Sequence, residues 1–185
     1  MNQISANDLI LIDDLCNWKI TKVEFEKQTS FRANYDQLNF LLDRTEVNCT
    51  NDNINKYFDT IFWSLPVSLS EKEEINIYKK YLLRNWHHEH EEIVGMFQIA
   101  FNQDVDNINV LEKDINNLPR YLQVQDLRYS YIRKIIYAIG AQPDPYNIEA
   151  LGKLAKETDD EQIKNLALHQ IEKRKRLGRW EINDI

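Results

Sequence analysis

Three histidines and three glutamates crowd one short stretch, Trp86-His87-His88-Glu89-His90-Glu91-Glu92. Side chains of these types bind transition metals or move protons near neutral pH. The spacing differs from the metalloprotease helix, in which two His stand four apart with the catalytic Glu between them. Here His87 and His90 are three apart, and His88 and Glu92 four apart, so either pair suits one helix face. No Cys or further His lies nearby in sequence to complete a tetrahedron, and His169 is far along the chain. Helical periodicity supplies a structural reading. Counting back from Phe97 puts Ile93, His90 and Trp86 in one stripe, with His90 a partly buried, hydrogen-bonded histidine at a helix start. His87 then faces the turn, and His88 with Glu92 forms a solvated pair. Neither a metal nor a cofactor is expected, and no residue is assigned a catalytic role.

Two other groups invite a functional reading. If Tyr131, Ile135, Ala138 and Ile139 face a core, then Tyr129, Arg133 and Tyr137 form a row at four-residue spacing on another face. Tyr and Arg are over-represented in interface hot spots, so an exposed row of this kind is a partner-binding candidate. The alternative is that Tyr129 and Tyr137 cap the junction with an adjoining repeat while Arg133 pairs with an acidic turn. The run Lys173-Arg174-Lys175-Arg176, with Arg179, has the composition of a nucleic-acid patch. In an acidic chain it reads better as a solvated final helix whose cations favour the helix C-terminus, with Trp180 folding back over the end. No GxGxxG, Walker loop or GxSxG is present, and nothing orders Ser, His and Asp as a triad.

These groups must be carried on helices. The 185-residue chain has only four Gly and four Pro, which suits helices better than a many-stranded sheet. A net charge of −7 disfavours phosphate backbones and favours a basic partner. The N-terminus lacks a basic leader, and the apolar run Leu9–Ile12 stops at Asp13 and Asp14, so neither a secretory signal nor a membrane span is expected. Cys16 and Cys49 form no CxxC and read as reduced thiols in a cytoplasmic protein, with a single disulfide left open.

Capping signals open the helices. Ser5 starts one over 6–17, and Thr21-Lys22-Val23-Glu24 starts another to about residue 30, where Val23 and Phe25 also suit a short strand. Residues 34–43 have helical spacing, and 44–55 read as a polar loop. A stripe from Tyr57 to Leu65 ends at Pro66, and Ser70-Glu71-Lys72-Glu73 caps a helix bearing Ile75, Tyr78, Leu82 and, by extension, Trp86. Further stripes follow in Ile93/Phe97/Phe101, Val105/Ile108/Leu111/Ile115, the helix 126–140, Ile148/Leu151/Leu154/Ala155 and Ile163/Ala167/Ile171. Ile93, Tyr131 and Ile163 start comparable units 38 and 32 residues apart, within the range of helical-hairpin repeats.

On these residues the stretch 86–171 resembles HEAT-type repeats. Asp160 to Ile171 has their acidic turn, hydrophobic-basic pair (Ile163-Lys164) and Ala167, while Ile132 stands where the family usually places Arg. The segment Trp86–Val94 is also similar to a Trp-His-x-x-His-Glu-[Asp/Glu]-Ile-Val segment of small bacterial HEAT-like proteins, some of which are immunity partners of secreted toxins. The resemblance implies one all-α domain: a right-handed α-solenoid of HEAT-like hairpins over 70–185, with an irregular helical cap over 1–66. It implies a cytoplasmic, non-enzymatic protein-binding module, monomeric when free, that neutralises a basic toxin domain. Tyr129, Arg133, Tyr137, His88, Glu91 and Glu92 are its expected contact residues; neither nucleic acid nor membrane is an expected partner. The rival readings are a HEAT-like DNA glycosylase, a metal-dependent hydrolase using the His87/His88/His90 cluster, and a scaffold subunit.

The histidine reading has a direct check. Elemental analysis of protein purified without added metal should find no stoichiometric zinc, iron, nickel or manganese; one bound metal lost in a His87/His88 double variant would restore the hydrolase.

Overall fold

The structure, a computed structural model, describes residues 3–50, 52–100 and 104–178. Ten α-helices account for most of these residues: α1 (Ala6–Cys16), α2 (Lys22–Gln28), α3 (Tyr35–Asn48), α4 (Ile54–Asp59), α5 (Glu71–Leu82), α6 (His90–Ile99), α7 (Asp106–Asn116), α8 (Gln125–Gly140), α9 (Tyr146–Glu157) and α10 (Glu161–Leu177). A π-helical turn, Thr60–Ser64, continues α4, and a short 3-10 turn, Arg120–Leu122, precedes α8. No strand forms among the described residues; one isolated bridge joins Ala33 to Val67. The protein is all-α.

The chain divides into two compact units, residues 1–80 with 86–89 and residues 81–85 with 90–185. The division falls inside 80–90, after most of α5.

In the first unit, caps place the helices. The Ser5 hydroxyl accepts from the Asp8 amide, and Thr21 with Glu24 closes a reciprocal capping box. That box makes the doubtful segment after Thr21 a helix, because two backbone amides left bare by any helix start are both satisfied. Asn34 with Gln37 forms a second box, and Ser70 and Glu73 make the same reciprocal contacts before α5. The predicted loop over 44–55 is corrected: α3 continues to Asn48. Thr45 is buried beside Leu38, Leu41 and Leu42 on the inner face and donates its hydroxyl to the Leu41 carbonyl at 3.0 Å, so a polar residue prolongs the stripe. In the first unit α1 packs on α2 and the π-turn, and α3 packs on α4 and the same turn.

In the second unit α8 is central, with α6, α7, α9 and α10 all packed against it. Tyr131, Ile132, Ile135, Ile136, Ala138 and Ile139 are all fully buried, so the helix is apolar over far more than one stripe. At its end a Cβ on Gly140 would stand 2.2 Å from the buried Gln170 amide of α10; the glycine permits that close approach. Trp86 lies beyond the end of α5, and the expected stripe member Phe101 and the end-cover Trp180 lie outside the described residues. Replacing Ile135 with Ala should destabilise the protein by roughly 2–5 kcal/mol in urea unfolding, because close neighbours on several sides prevent collapse of the cavity.

Candidate functional site

The histidines do not assemble as one set. α6 begins only at His90, so four-residue spacing does not govern residues 86–89, and the segment Trp86–Glu89 belongs to the first unit. His87 does not face solvent at the turn. It is fully buried, stacked on Phe58 with ring centroids 4.0 Å apart and planes within 2°, and its Nδ1 accepts from the Glu89 amide at 3.1 Å. The expected solvated His88–Glu92 pair is likewise corrected: His88 is exposed, but its Nδ1 accepts from the Asn55 side-chain amide at 3.2 Å. Glu89 accepts from the Trp63 indole N–H at 2.9 Å.

His90 is fully buried at the start of α6, and both ring nitrogens are engaged. Nε2 lies 2.8 Å from the Arg84 carbonyl oxygen, which can only accept, so Nε2 carries the proton. Nδ1 lies 3.0 Å from the Tyr121 hydroxyl, a group able to donate or accept. Glu91 pairs with Lys134, and Glu92 is exposed. The three imidazoles are thus each oriented by a different neighbour. Among the described residues no group of three or more His, Cys, Asp or Glu side chains is placed to hold a metal ion.

On α8, Tyr131, Ile135 and Ile139 are buried as expected, and Arg133 is exposed. Tyr129 and Tyr137 are half-buried rather than open. Tyr129 donates its hydroxyl to Asp160 Oδ2 at 2.8 Å, and Lys173 lies 5.2 Å from the Tyr137 ring centre. The cation that meets the acidic turn is Arg128, 3.1 Å from the same Asp160 oxygen, and not Arg133. The other Asp160 oxygen caps α10 by accepting from the Gln162 and Ile163 amides. Partial desolvation opposes ionisation of Asp160, but these donors together hold its carboxyl below the usual range. One carboxylate therefore starts α10 and ties it to α8. The basic run closes α10, where Arg174, Lys175 and Arg176 occupy the last turn; Arg179 lies outside the described residues.

Two constellations escaped the sequence pattern. The first is a buried pair in the second unit: Tyr131 donates to Asp114 Oδ2 at 2.5 Å. Burial pushes the Asp114 carboxyl up to about 7, outweighing the stabilising bond from Tyr131, and pushes the Tyr131 phenol far above its ordinary value. The signal was present, for Asp114 stands three residues after Leu111 within an apolar stripe. The second is a cleft of about 500 Å³ in the first unit, between α1, α3 and α4, with Leu9, Ile12, Leu41 and Ile61 among its apolar walls. Asp13 accepts there from the Tyr57 hydroxyl at 2.7 Å, and the Asn17 amide donates to Tyr57 at 2.6 Å. Both cysteines line the cleft as free thiols; Cys16 is buried, which pushes its thiol up to about 12.

Trp18, just past the end of α1, adopts a left-handed conformation, φ 58°, and is 71% exposed. Its amide donates to the Leu15 carbonyl and the Lys19 amide to Asp14, the Schellman closure of α1. Gly is the usual occupant of that position, because a Cβ there costs roughly 1–2 kcal/mol. No sequence rule places a tryptophan at such a site.

In comparisons with protein-family models, curated proteins and solved structures, no match to this chain was found.

The Asp114 carboxyl makes stability depend on pH. Below about pH 4 it is protonated in the folded and unfolded chain alike; between there and about 7 only the folded chain keeps the proton. Its contribution is therefore full in acid and is lost as pH rises through about 7. Asp114→Asn should lessen the fall in urea stability between pH 5 and pH 8 relative to the parent protein; an unchanged slope would remove Asp114 as its source.

Proposed function

We propose that this chain is a non-enzymatic protein-binding module, a solenoid of HEAT-like helical hairpins with an irregular N-terminal cap, acting as a cytoplasmic immunity protein against a basic toxin domain. The observation that carries the binding reading is Arg133. It is exposed on the most buried helix of its unit, flanked by two tyrosines already fixed through Asp160 and Lys173. An arginine between pre-ordered aromatics forms an interface at low entropic cost.

Long-range charge adds the preference for a basic partner. The first unit carries 14 Asp and Glu against 9 Lys and Arg, and the second 16 against 14, so the acidic excess lies mainly in the first. Opposite charge of this kind raises the association rate and sets partner choice more than final affinity. The short-range contact at Arg133 would engage carboxylates or carbonyls on the toxin surface. Immunity, as opposed to other protein binding, rests on the resemblance of Trp86–Val94 to a segment of small bacterial HEAT-like proteins, some of which are immunity partners of secreted toxins.

The test searches the reading frames beside this gene for a toxin domain and titrates it against the purified chain. Arg133→Glu should weaken binding by at least about tenfold while shifting stability by less than about 1 kcal/mol, as for surface changes away from special features. Indifference to the substitution would make the row packing and move the search to Glu92, since His88 is held by Asn55 and Glu91 by Lys134.

A further inference from the structure

We propose that the cleft of the first unit binds a free apolar amino acid, its ammonium against Asp13 and its carboxylate against Arg44. The charges lining the cleft are balanced, Asp13 and Asp14 against Lys19 and Arg44, so a ligand of either net charge meets a group of its own sign. One of the two pairs is already closed: Lys19 Nζ stands 2.8 Å from Asp14 Oδ1. Asp13 and Arg44 both line the cleft and are both exposed, yet no ion pair joins them among the described residues. They stand on different helices, Asp13 on α1 and Arg44 on α3. A zwitterion answers both charges at once.

Asp13 is held in place by neutral groups. Tyr57 donates its hydroxyl to Asp13 Oδ1 at 2.7 Å, and the Asn17 side-chain amide donates to Oδ2 at 3.2 Å and to the Tyr57 oxygen at 2.6 Å. These bonds fix the carboxylate without cancelling its charge, and each oxygen keeps a lone pair for an ammonium. Cys49 relates the two charges to each other. Its thiol is half-buried in the cleft; burial raises it, Asp13 raises it further, and Arg44 opposes the rise. Both charges therefore act on one point of the lining. Buried Ile12, Leu41 and Ile61, with half-buried Leu9, supply apolar wall for a side chain. The volume of about 500 Å³ is that of an ordinary small-molecule pocket.

The full chain would be titrated by calorimetry with L-leucine, N-acetyl-L-leucine, L-leucinamide and glycine. The rate at which iodoacetamide labels Cys49, located by mass spectrometry, would be measured with and without each. Leucine should bind saturably and slow the labelling. Each blocked analogue lacks one charge and should bind about tenfold more weakly, the factor expected for loss of a charge-assisted hydrogen bond. Glycine keeps both charges and should also bind more weakly, because it has no side chain for the apolar walls. Asp13→Asn should bring leucine down to the acetyl analogue, and Arg44→Gln should bring it down to leucinamide. If Asp13→Asn does not fold, the acetyl analogue tests the same charge on the parent protein. Absence of saturation up to about 10 mM, near the weakest useful affinity, would overturn the site. So would equal affinity for leucine and either blocked analogue, parent-like binding by Arg44→Gln, or saturable binding that leaves Cys49 labelling unchanged. Equal affinity for glycine and leucine would overturn the apolar part of the assignment.

Discussion

A helix with almost no solvent face must have every polar group on it matched, and α8 imposes that condition on the whole second unit. Six of its side chains between Tyr131 and Ile139 are fully buried. Several polar atoms that enter this environment meet a dedicated partner, while the buried Gln170 Oε1 has none among the described residues. Tyr131 is met by Asp114, and Tyr129 and Arg128 by Asp160. Just past its end, Gln142 donates to the Phe97 and Ala138 carbonyls and accepts from the buried Asn107 amide. An unmatched group in such a place costs the full desolvation penalty, so these residues fix how α7, α8 and α10 meet. The same burial gives Asp114 its raised titration, while Arg133 stands exposed on the same helix.

The first unit is built on a different economy. Its helices are short, and short helices are marginal without help at their ends. Reciprocal boxes at Thr21, Asn34 and Ser70 satisfy the starts, while the Schellman closure through Trp18 satisfies the end of α1. Extended backbone then ties residues 33 and 66–68 together through two 2.9 Å hydrogen bonds. The π-turn after Asp59 is the remaining irregularity; Leu65 reaches back five residues to the Thr60 carbonyl. It carries Phe62 and Trp63, whose rings sit 4.7 Å apart, and Trp63 continues to Glu89.

Binding and folding draw on the same side chains here. Asp160 starts α10 and also orients Tyr129, so loss of that carboxylate would disturb the helix and the proposed contact together. Arg133 is different: it is exposed, and Arg128 rather than Arg133 meets Asp160, so it is a position where function can be varied with the fold left intact. The histidine cluster has the opposite character. Its three rings are oriented by Phe58, Asn55, Arg84 and Tyr121, so the residues with the richest chemical repertoire serve to join segments.

What the sequence by itself determined is the helical architecture, because periodicity and capping are local. The stripes ending at Ile139 and Ala167, the caps at Ser5, Thr21 and Ser70, and the burial of His90 all follow from residues within a turn or two of one another. Tertiary structure decided wherever a polar residue is accepted into a core or a ring finds a distant partner. Thr45 extends α3 because its hydroxyl can return to its own helix inside a buried stripe. His87 is buried because Phe58, 29 residues earlier in sequence, offers a parallel ring. Arg128 and not Arg133 reaches the acidic turn because α10 approaches α8 at that level. The cleft lined by Cys16 and Cys49 exists only once α1, α3 and α4 have met. Short-range geometry can be read along a chain; which distant side chain satisfies a buried polar atom depends on packing that no local window contains.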